Sequence, residues 1–247
     1  METSIVLTVI MPCHQEGESI KVVMNTLQSA LIDIPHEVLA VYDDPADAQL
    51  VILKSLQENY PQLYLLNNEG TGAAKAIYTG LAKAHGRYIV FLVADDVGPV
   101  PLLKGMIDLM DRGYDLVATT RYALGGKSFG GSHVSRFFSR GANRLFRLLT
   151  SFELTDITCG FKMFRREMLK IIQLKSQAGW TIAFELTVKA KYNDFKMGEV
   201  PIVSYNRMDG SLSRSRLISQ VRMYAGIFCW GVFKLWGKIF RGRVQVN

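Results

Sequence analysis

The chain has 247 residues, 49% of them hydrophobic and 21% charged, with a formal net charge of +7. That composition suits one large α/β domain, or a domain with an appendage, and excludes a disordered or low-complexity chain. Three cysteines far apart in sequence (Cys13, Cys159 and Cys229) argue against a disulfide frame or zinc site and for reduced thiols in a cytoplasmic setting.

No apolar run reaches the roughly 20 residues of a membrane-crossing helix. The opening METSIVLTVIMP lacks the basic segment and small-residue cleavage site of a secretory leader. The charge is unevenly placed. Residues 1–120 hold 7 Lys and Arg against 15 Asp and Glu, residues 121–170 hold 10 against 3, and residues 207–247 hold 8 against 1. Two basic later segments suit anionic partners, although by charge alone a solubilising surface serves as well. No zinc-finger, KH or RRM signature accompanies the charge, which argues against nucleic acid.

In chain order, IVLTVIMP is an apolar strand, and Ile20, Val23, Met24 and Leu27 recur at helical spacing after Ser19. EVLAVYDD predicts a second strand, DAQLVILKSLQEN a second helix and LYLLN a short third strand. GTGAAKAIYTGLAKAHG is a helix entered through glycines, RYIVFLVADD a fourth strand, PLLKGMIDLMDRG a helix and DLVATTR a fifth strand. Such alternation predicts a doubly wound, mostly parallel sheet with ligands at the carboxyl ends of its strands. Polar residues fall at those ends: Glu16 after the first, Asp43 and Asp44 after the second, Gly70 to Gly72 after the third, Asp95 and Asp96 after the fourth, and Arg121 after the fifth.

GxGxxG and the Walker pattern are missing, which argues against dinucleotide and P-loop chemistry. Gly72 and Lys75 open a helix, and two readings are open: backbone N–H groups and a lysine offered to a phosphate, or a tight turn. The histidines His14, His36, His85 and His133 show no metal-ligand spacing.

Five segments in order carry a resemblance. PCHQEGESI resembles the P-x-x-N-E opening of inverting GT-A glycosyltransferases, and VYDDPAD their acidic nucleotide segment. SRGANRLFRLL, DITCGFKMFRR and EVPIVSYNRMDGSLS are similar to the dolichyl- or polyprenyl-phosphate sugar synthase branch of that family. The resemblance spans about residues 5–215. It implies a GT-A, Rossmann-like, mostly parallel mixed sheet flanked by helices over residues 1–212; residues 213–247 are expected, from their own pattern, to form a C-terminal amphipathic membrane-surface segment.

The resemblance further implies that Pro12, Glu16, Asp43 and Asp44 hold the base and ribose of a nucleotide-sugar donor. Asp95 takes the second acidic place of an Asp-x-Asp that holds Mg2+ or Mn2+. Arg121, Ser139, Arg140 and Arg207 face the diphosphate and the phosphate of a polyprenyl acceptor. Gln15 stands for the usual Asn and preserves an amide, Pro45 alters the turn after the acidic pair, and Val93 replaces the first Asp and weakens the metal site. In an extended segment residues 93 and 95 share one side, so Asp96 substitutes for a carboxylate at 93 only if the chain turns there. Mg2+ commonly needs only one or two carboxylates beside substrate phosphates, so Asp95 is the expected ligand.

A polyprenyl phosphate is already an oxyanion at neutral pH. Its transfer therefore needs positioning and charge stabilisation instead of a general base, and arginine suits that work. Arg136, Arg140, Arg144 and Arg147 form one stripe at intervals of four, four and three, among Phe137, Phe138, Leu145, Phe146, Leu148 and Leu149. Such a helix suits an anionic lipid surface or is simply amphipathic with its charges in water. Glu185 is either a base for a hydroxyl acceptor or an internal partner for an arginine, and Asp156 either orders nearby arginines or touches substrate. From Leu217 onward Val221, Tyr224, Phe228, Val232, Leu235 and Ile239 repeat at helical spacing beside basic residues and Trp230 and Trp236. That pattern predicts a helix on the inner face of the membrane, or one packed on the parent domain or on a second chain.

The expected activity is inverting transfer of a sugar from GDP-mannose or a UDP-sugar to a polyprenyl phosphate. Transfer to a glycan or small-molecule hydroxyl, and a non-catalytic nucleotide-sugar or lipid-phosphate binding subunit, are the alternatives. Oligomeric state is not legible in the residues.

Overall fold

The computed structural model describes residues 4–14, 16–44, 49–130, 133–177, 179–206 and 214–244. Its seven-stranded sheet comprises β1 (Leu7–Cys13), β2 (His36–Tyr42), β3 (Leu63–Asn67), β4 (Tyr88–Phe91), β5 (Leu116–Thr120), β7 (Lys162–Arg165) and β8 (Met197–Pro201) in the order β3-β2-β1-β4-β7-β5-β8. All pairs are parallel except those of β7, which runs antiparallel to both β4 and β5. β6 (Lys127–Gly130) and β9 (Val203–Asn206) form a separate parallel pair. The β1, β4 and β5 runs are buried without alternation because helices cover both faces of the sheet.

The two faces build two cores. On one, α1 (Ser19–Ala30), α2 (Gln49–Asn59) and α4 (Leu103–Asp111) cover Val9, Met11, Val38 and Val90. On the other, α3 (Ala73–Lys83), α5 (His133–Thr150), α6 (Thr181–Tyr192) and α7 (Arg214–Val244) cover Ile10, Leu39, Ile89 and Phe91. Neighbours such as Val9 and Ile10 point to opposite cores, as strand alternation requires.

α6 is buried almost all round, from Thr181 to Val188 and at Ala190, because α7 lies on it. The apolar face predicted to meet a membrane is spent on that packing. Tyr224 stacks on Phe184 with ring centroids 5.9 Å apart, Phe228 meets Phe146 edge-on at 5.1 Å, and Leu235 is buried in the same core. Gly231 makes the approach possible, since a Cβ there would come within 2.8 Å of Val188. Of the three readings left open for this helix, packing on the parent domain accounts for Tyr224, Phe228, Val232 and Leu235. The side chains of Leu217, Val221 and Ile239 lie outside the described ones. Among the described residues no helix is long and apolar enough to cross a membrane.

Candidate active site

The first three strands step outward from β1, and the chain then returns to the opposite side of β1 as β4. This reversal opens a crevice between the carboxyl ends of β1 and β4, where open α/β sheets bind ligands. The predicted residues that follow β1, β2 and β4 lie at those strand ends.

After β1, the Glu16 carboxylate accepts the His14 N–H (2.6 Å) and the Gln49 Nε2 (2.7 Å), while the Glu16 N–H donates to Gln49 Oε1 (2.9 Å). The start of α2 thus holds the loop that follows Pro12. Gln49 is buried and carried no sequence signal, because one amide inside an apolar helix reads as an ordinary solvated residue.

After β2, Asp43 takes Asn68 Nδ2 on Oδ1 (2.6 Å) and the Gly72 N–H on Oδ2 (2.8 Å). The structure therefore brings Asp43 and Gly72 together, but as partners of each other: this amide is donated to a carboxylate. Gly72 has φ +83°, the left-handed region that favours glycine. Lys75 is exposed on the first turn of α3, its stem beside Gly70, and Asp44 is exposed on the same rim.

After β4 the chain turns at once. The Asp96 N–H donates to Val93 O (3.2 Å) and the Gly98 N–H to Asp96 Oδ1 (2.9 Å). Strand alternation no longer governs residues 93–96, so the condition under which Asp96 can join Asp95 at the crevice is met. Val93 is 37% exposed and Asp95 is half-buried. Hard carboxylate oxygens suit Mg2+ or Mn2+, and the described residues contain no group of three or more His, Cys, Asp or Glu that could cage an ion without substrate. The donor set fits an ion shared with a diphosphate.

On the other flank, β7 separates β4 from β5 by two strand spacings, about 10 Å. Val90 and Val117 both pair with Met163, so Asp95 and Arg121 leave the same edge of the sheet at similar height. Arg121 donates from Nε to Asp156 Oδ2 (2.7 Å) and from Nη2 to Asp156 Oδ1 (3.0 Å) and Thr158 (3.0 Å). Burial pushes the Asp156 carboxyl up, but the hydrogen bonds and charge of Arg121 outweigh it and hold the carboxyl below its ordinary range. Burial also opposes the charge on Arg121, and Asp156 again outweighs it and raises the guanidinium above its usual value.

Tyr122 gathers the rest. Its ring lies under Arg121 (5.1 Å) and Arg140 (5.7 Å), and its hydroxyl donates to Ser139 Oγ (2.8 Å). Buried Asn143 donates to Ser139 O and Thr158 and accepts the Ile157 N–H (2.8 Å). Two segments of the family resemblance, SRGAN and DITCGF, thereby interlock. Arg136 donates to Ser128 O (3.0 Å), tying α5 to β6. Arg207 lies outside the described residues. Tyr122 could have been suspected from its place beside Arg121; Thr158 and Asn143 stood inside quoted motifs without an assigned role.

Below this cluster, fully buried Lys162 donates to Ile157 O (2.6 Å) and Ala183 O (3.3 Å), and burial pushes its ammonium down to about 8. Glu199 accepts the Thr155 N–H (2.6 Å). Glu185 is an internal partner, as one reading had it, but of Lys189 (2.5 Å) and the Lys175 and Ser176 amides, not of an arginine. Burial raises its pKa, and these donors more than reverse that, the opposite of what a general base needs.

A crevice at a sheet reversal, with acids on one flank and clustered cations on the other, is the layout of a group transferase. Residues 8–172 match the family model described as "Glycosyl transferase family 2", and the chain belongs to that glycosyltransferase family. It is 26% identical over 79% of its length to the dolichol-phosphate mannosyltransferase of Pyrococcus furiosus, and spans 55% of that protein. It is 27% identical to the polyprenol monophosphomannose synthase of Mycolicibacterium smegmatis, covering 97% of this chain and 91% of that one. In fold it resembles glucosyl-3-phosphoglycerate synthase of Mycobacterium tuberculosis in complex with Mn2+, uridine diphosphate and glucosyl-3-phosphoglycerate, with a TM-score of 0.69 and 17% identity over 92% of this chain and 80% of that one. A complex of the same enzyme with Mg2+ and uridine diphosphate superposes with a TM-score of 0.62 at 18% identity, over 88% of this chain and 79% of that one.

Proposed function

We propose that this glycosyltransferase moves a sugar, with inversion, from a nucleotide diphosphate donor to a polyprenyl phosphate at the cytoplasmic face of a membrane. The observation that carries the reading is the cluster of Arg121, Arg140, Tyr122 and Ser139 beyond the end of β5, two strands along the sheet from β4, which Asp95 follows at the same edge. Its neighbouring carboxylates are committed: Asp156 to Arg121 and Glu199 to Thr155. An acceptor bound there meets positive charge and hydroxyls in place of a base, which suits an oxygen nucleophile that is already ionised. The names of the two curated relatives support a lipid-phosphate acceptor and favour mannose over other sugars.

Pro12, Glu16, Asp43 and Asp44 line the donor side, with Lys75 near the diphosphate. Asp95, with Asp96 beside it, would hold Mg2+ or Mn2+ against the diphosphate, and the ion supplies charge neutralisation for the leaving group. The metal-containing complexes of the structural neighbour support that choice. Arg121 orients and screens, while Arg140 and Ser139, aided by Arg136 and Arg207, seat the acceptor phosphate. Residues 1–212 form the catalytic unit in this reading, and 213–247 a C-terminal attachment to it.

The test is a panel of nucleotide sugars with Mg2+ or Mn2+ and a short polyprenyl phosphate, read as lipid-linked sugar. Binding without turnover across the panel would favour a non-catalytic subunit. Transfer to a soluble hydroxyl acceptor with no lipid present would favour the other transferase reading, which the ionised, lysine-bound Glu185 already opposes.

A further inference from the structure

α5 carries two parallel stripes. Arg136, Arg140, Arg144 and Arg147 form one, and Phe137, Gly141, Leu145 and Leu148 form the other, displaced by a single residue with the same intervals of four, four and three. The helix has no acidic residue. Its inward face is separate: Asn143, Phe146 and Thr150 are buried. The apolar stripe faces outward, with Phe137 76% and Leu148 80% exposed, and Phe138 and Leu145 exposed beside them. Phe137 and Phe138 meet edge-on at 6.0 Å, one aromatic pair standing in solvent.

This stripe continues onto α7. Trp236 Nε1 donates to Leu149 O at the last turn of α5, and Trp236 and Phe233 are both exposed on the outer side of α7. Isolated exposed apolar residues need no explanation, but a run of them along one helix and onto the next does.

We propose that this surface, and not the apolar face of α7 buried against α6, docks the protein on an anionic lipid bilayer. Phe137, Phe138, Leu145, Leu148, Phe233 and Trp236 enter the headgroup–acyl boundary, and the exposed Arg144 and Arg147 of the arginine stripe lie against anionic headgroups. Charge complementarity selects the occupant. A row of four arginines without an acid suits a surface that is negative everywhere, and aromatic side chains suit the polar–apolar boundary. The proposal deepens the lipid-acceptor reading and rests on it for one consequence: the same helix carries Ser139 and Arg140, so docking sets the cation cluster at headgroup depth, where a polyprenyl phosphate presents its charge.

The experiment is flotation of the full chain with vesicles of phosphatidylcholine with and without phosphatidylglycerol. Wild type floats with the anionic vesicles, and high salt or pure phosphatidylcholine reduces the bound fraction. The exposed pair Phe137→Ser and Leu148→Ser lowers partitioning by about tenfold or more, whereas Ile32→Ser, an exposed apolar residue following α1, leaves it unchanged. Equal flotation of the pair variant and wild type overturns the proposal. So does a self-associated wild type that the same pair makes monomeric while neither binds vesicles, because the occupant is then a second copy. Sugar transfer to a short, soluble isoprenyl phosphate is measured in parallel. Loss of that transfer in wild type with flotation intact defeats the function reading alone, and intact transfer with failed flotation defeats the docking surface alone.

Discussion

Arg121 and Asp156 meet through two charge-assisted hydrogen bonds, with the carboxylate side chain fully buried and the guanidinium side chain 17% exposed. The exposure is one-sided: Asp156 is committed to orientation while part of the Arg121 side chain stays open to solvent. Asp156 also accepts the N–H groups of Thr158 and Cys159, so one carboxylate ties the end of β5 to the loop before β7.

Asp156→Asn should destabilise the fold by about 3–5 kcal/mol, because it leaves a buried guanidinium without its counter-charge. Urea denaturation measures it, and a loss under about 1 kcal/mol would contradict the role. The pH sign follows from the depressed folded pKa. The contribution is present above the ordinary carboxylate range and is lost as pH falls through the folded value, so the variant should show a flatter acid limb.

Lys162 acts at the other end of the scale. Its folded pKa of about 8 lies below the ordinary 10.5, so the unfolded chain binds the extra proton and stability rises with pH between those values. The rise is at most about 3 kcal/mol. Denaturation midpoints across that interval should climb for wild type, and the climb should vanish in Lys162→Met.

Arg140→Gln should raise the acceptor KM by about ten- to a hundredfold and leave the donor KM unchanged, since a charge-assisted phosphate contact contributes about 1.5–3 kcal/mol. A shift confined to the donor KM would place Arg140 on the wrong flank.

Asp95→Asn should lower turnover by several powers of ten, on the order of 10³ or more, while Asp96→Asn costs less. Chelation should abolish activity, and Mg2+ or Mn2+ should restore it. Calorimetric titration of the nucleoside diphosphate with and without metal checks the same carboxylate without relying on turnover.

Gly72→Ala should cost about 1–2 kcal/mol because the added Cβ resists a φ of +83°. By loosening the Asp43–Gly72 bond it should also weaken donor binding, read by the same titration.

Much of the first half was legible. The runs IVLTVIMP, EVLAVYDD and LYLLN became β1, β2 and β3 with ends shifted by two residues at most, since each is a short, largely apolar run bounded by polar residues. α6 was not legible, because a helix covered by the sheet on one side and α7 on the other shows no amphipathic period. β7 hid inside DITCGFKMFRR, four residues whose extended form depends on the gap between β4 and β5. The apolar face of α7 was legible as a face; what covers it was not.

Sequence alone determined the alternating elements, the acids and cations at the strand ends, and the paired stripes of α5, since each depends on residues within a few positions of one another. Tertiary structure alone decided that Asp43 holds Gly72, that Tyr122 sits under two arginines, that Glu185 answers a lysine, and that α7 turns its aromatic face inward. Contacts between residues tens of positions apart are set by sheet register and helix docking, and no local period encodes those.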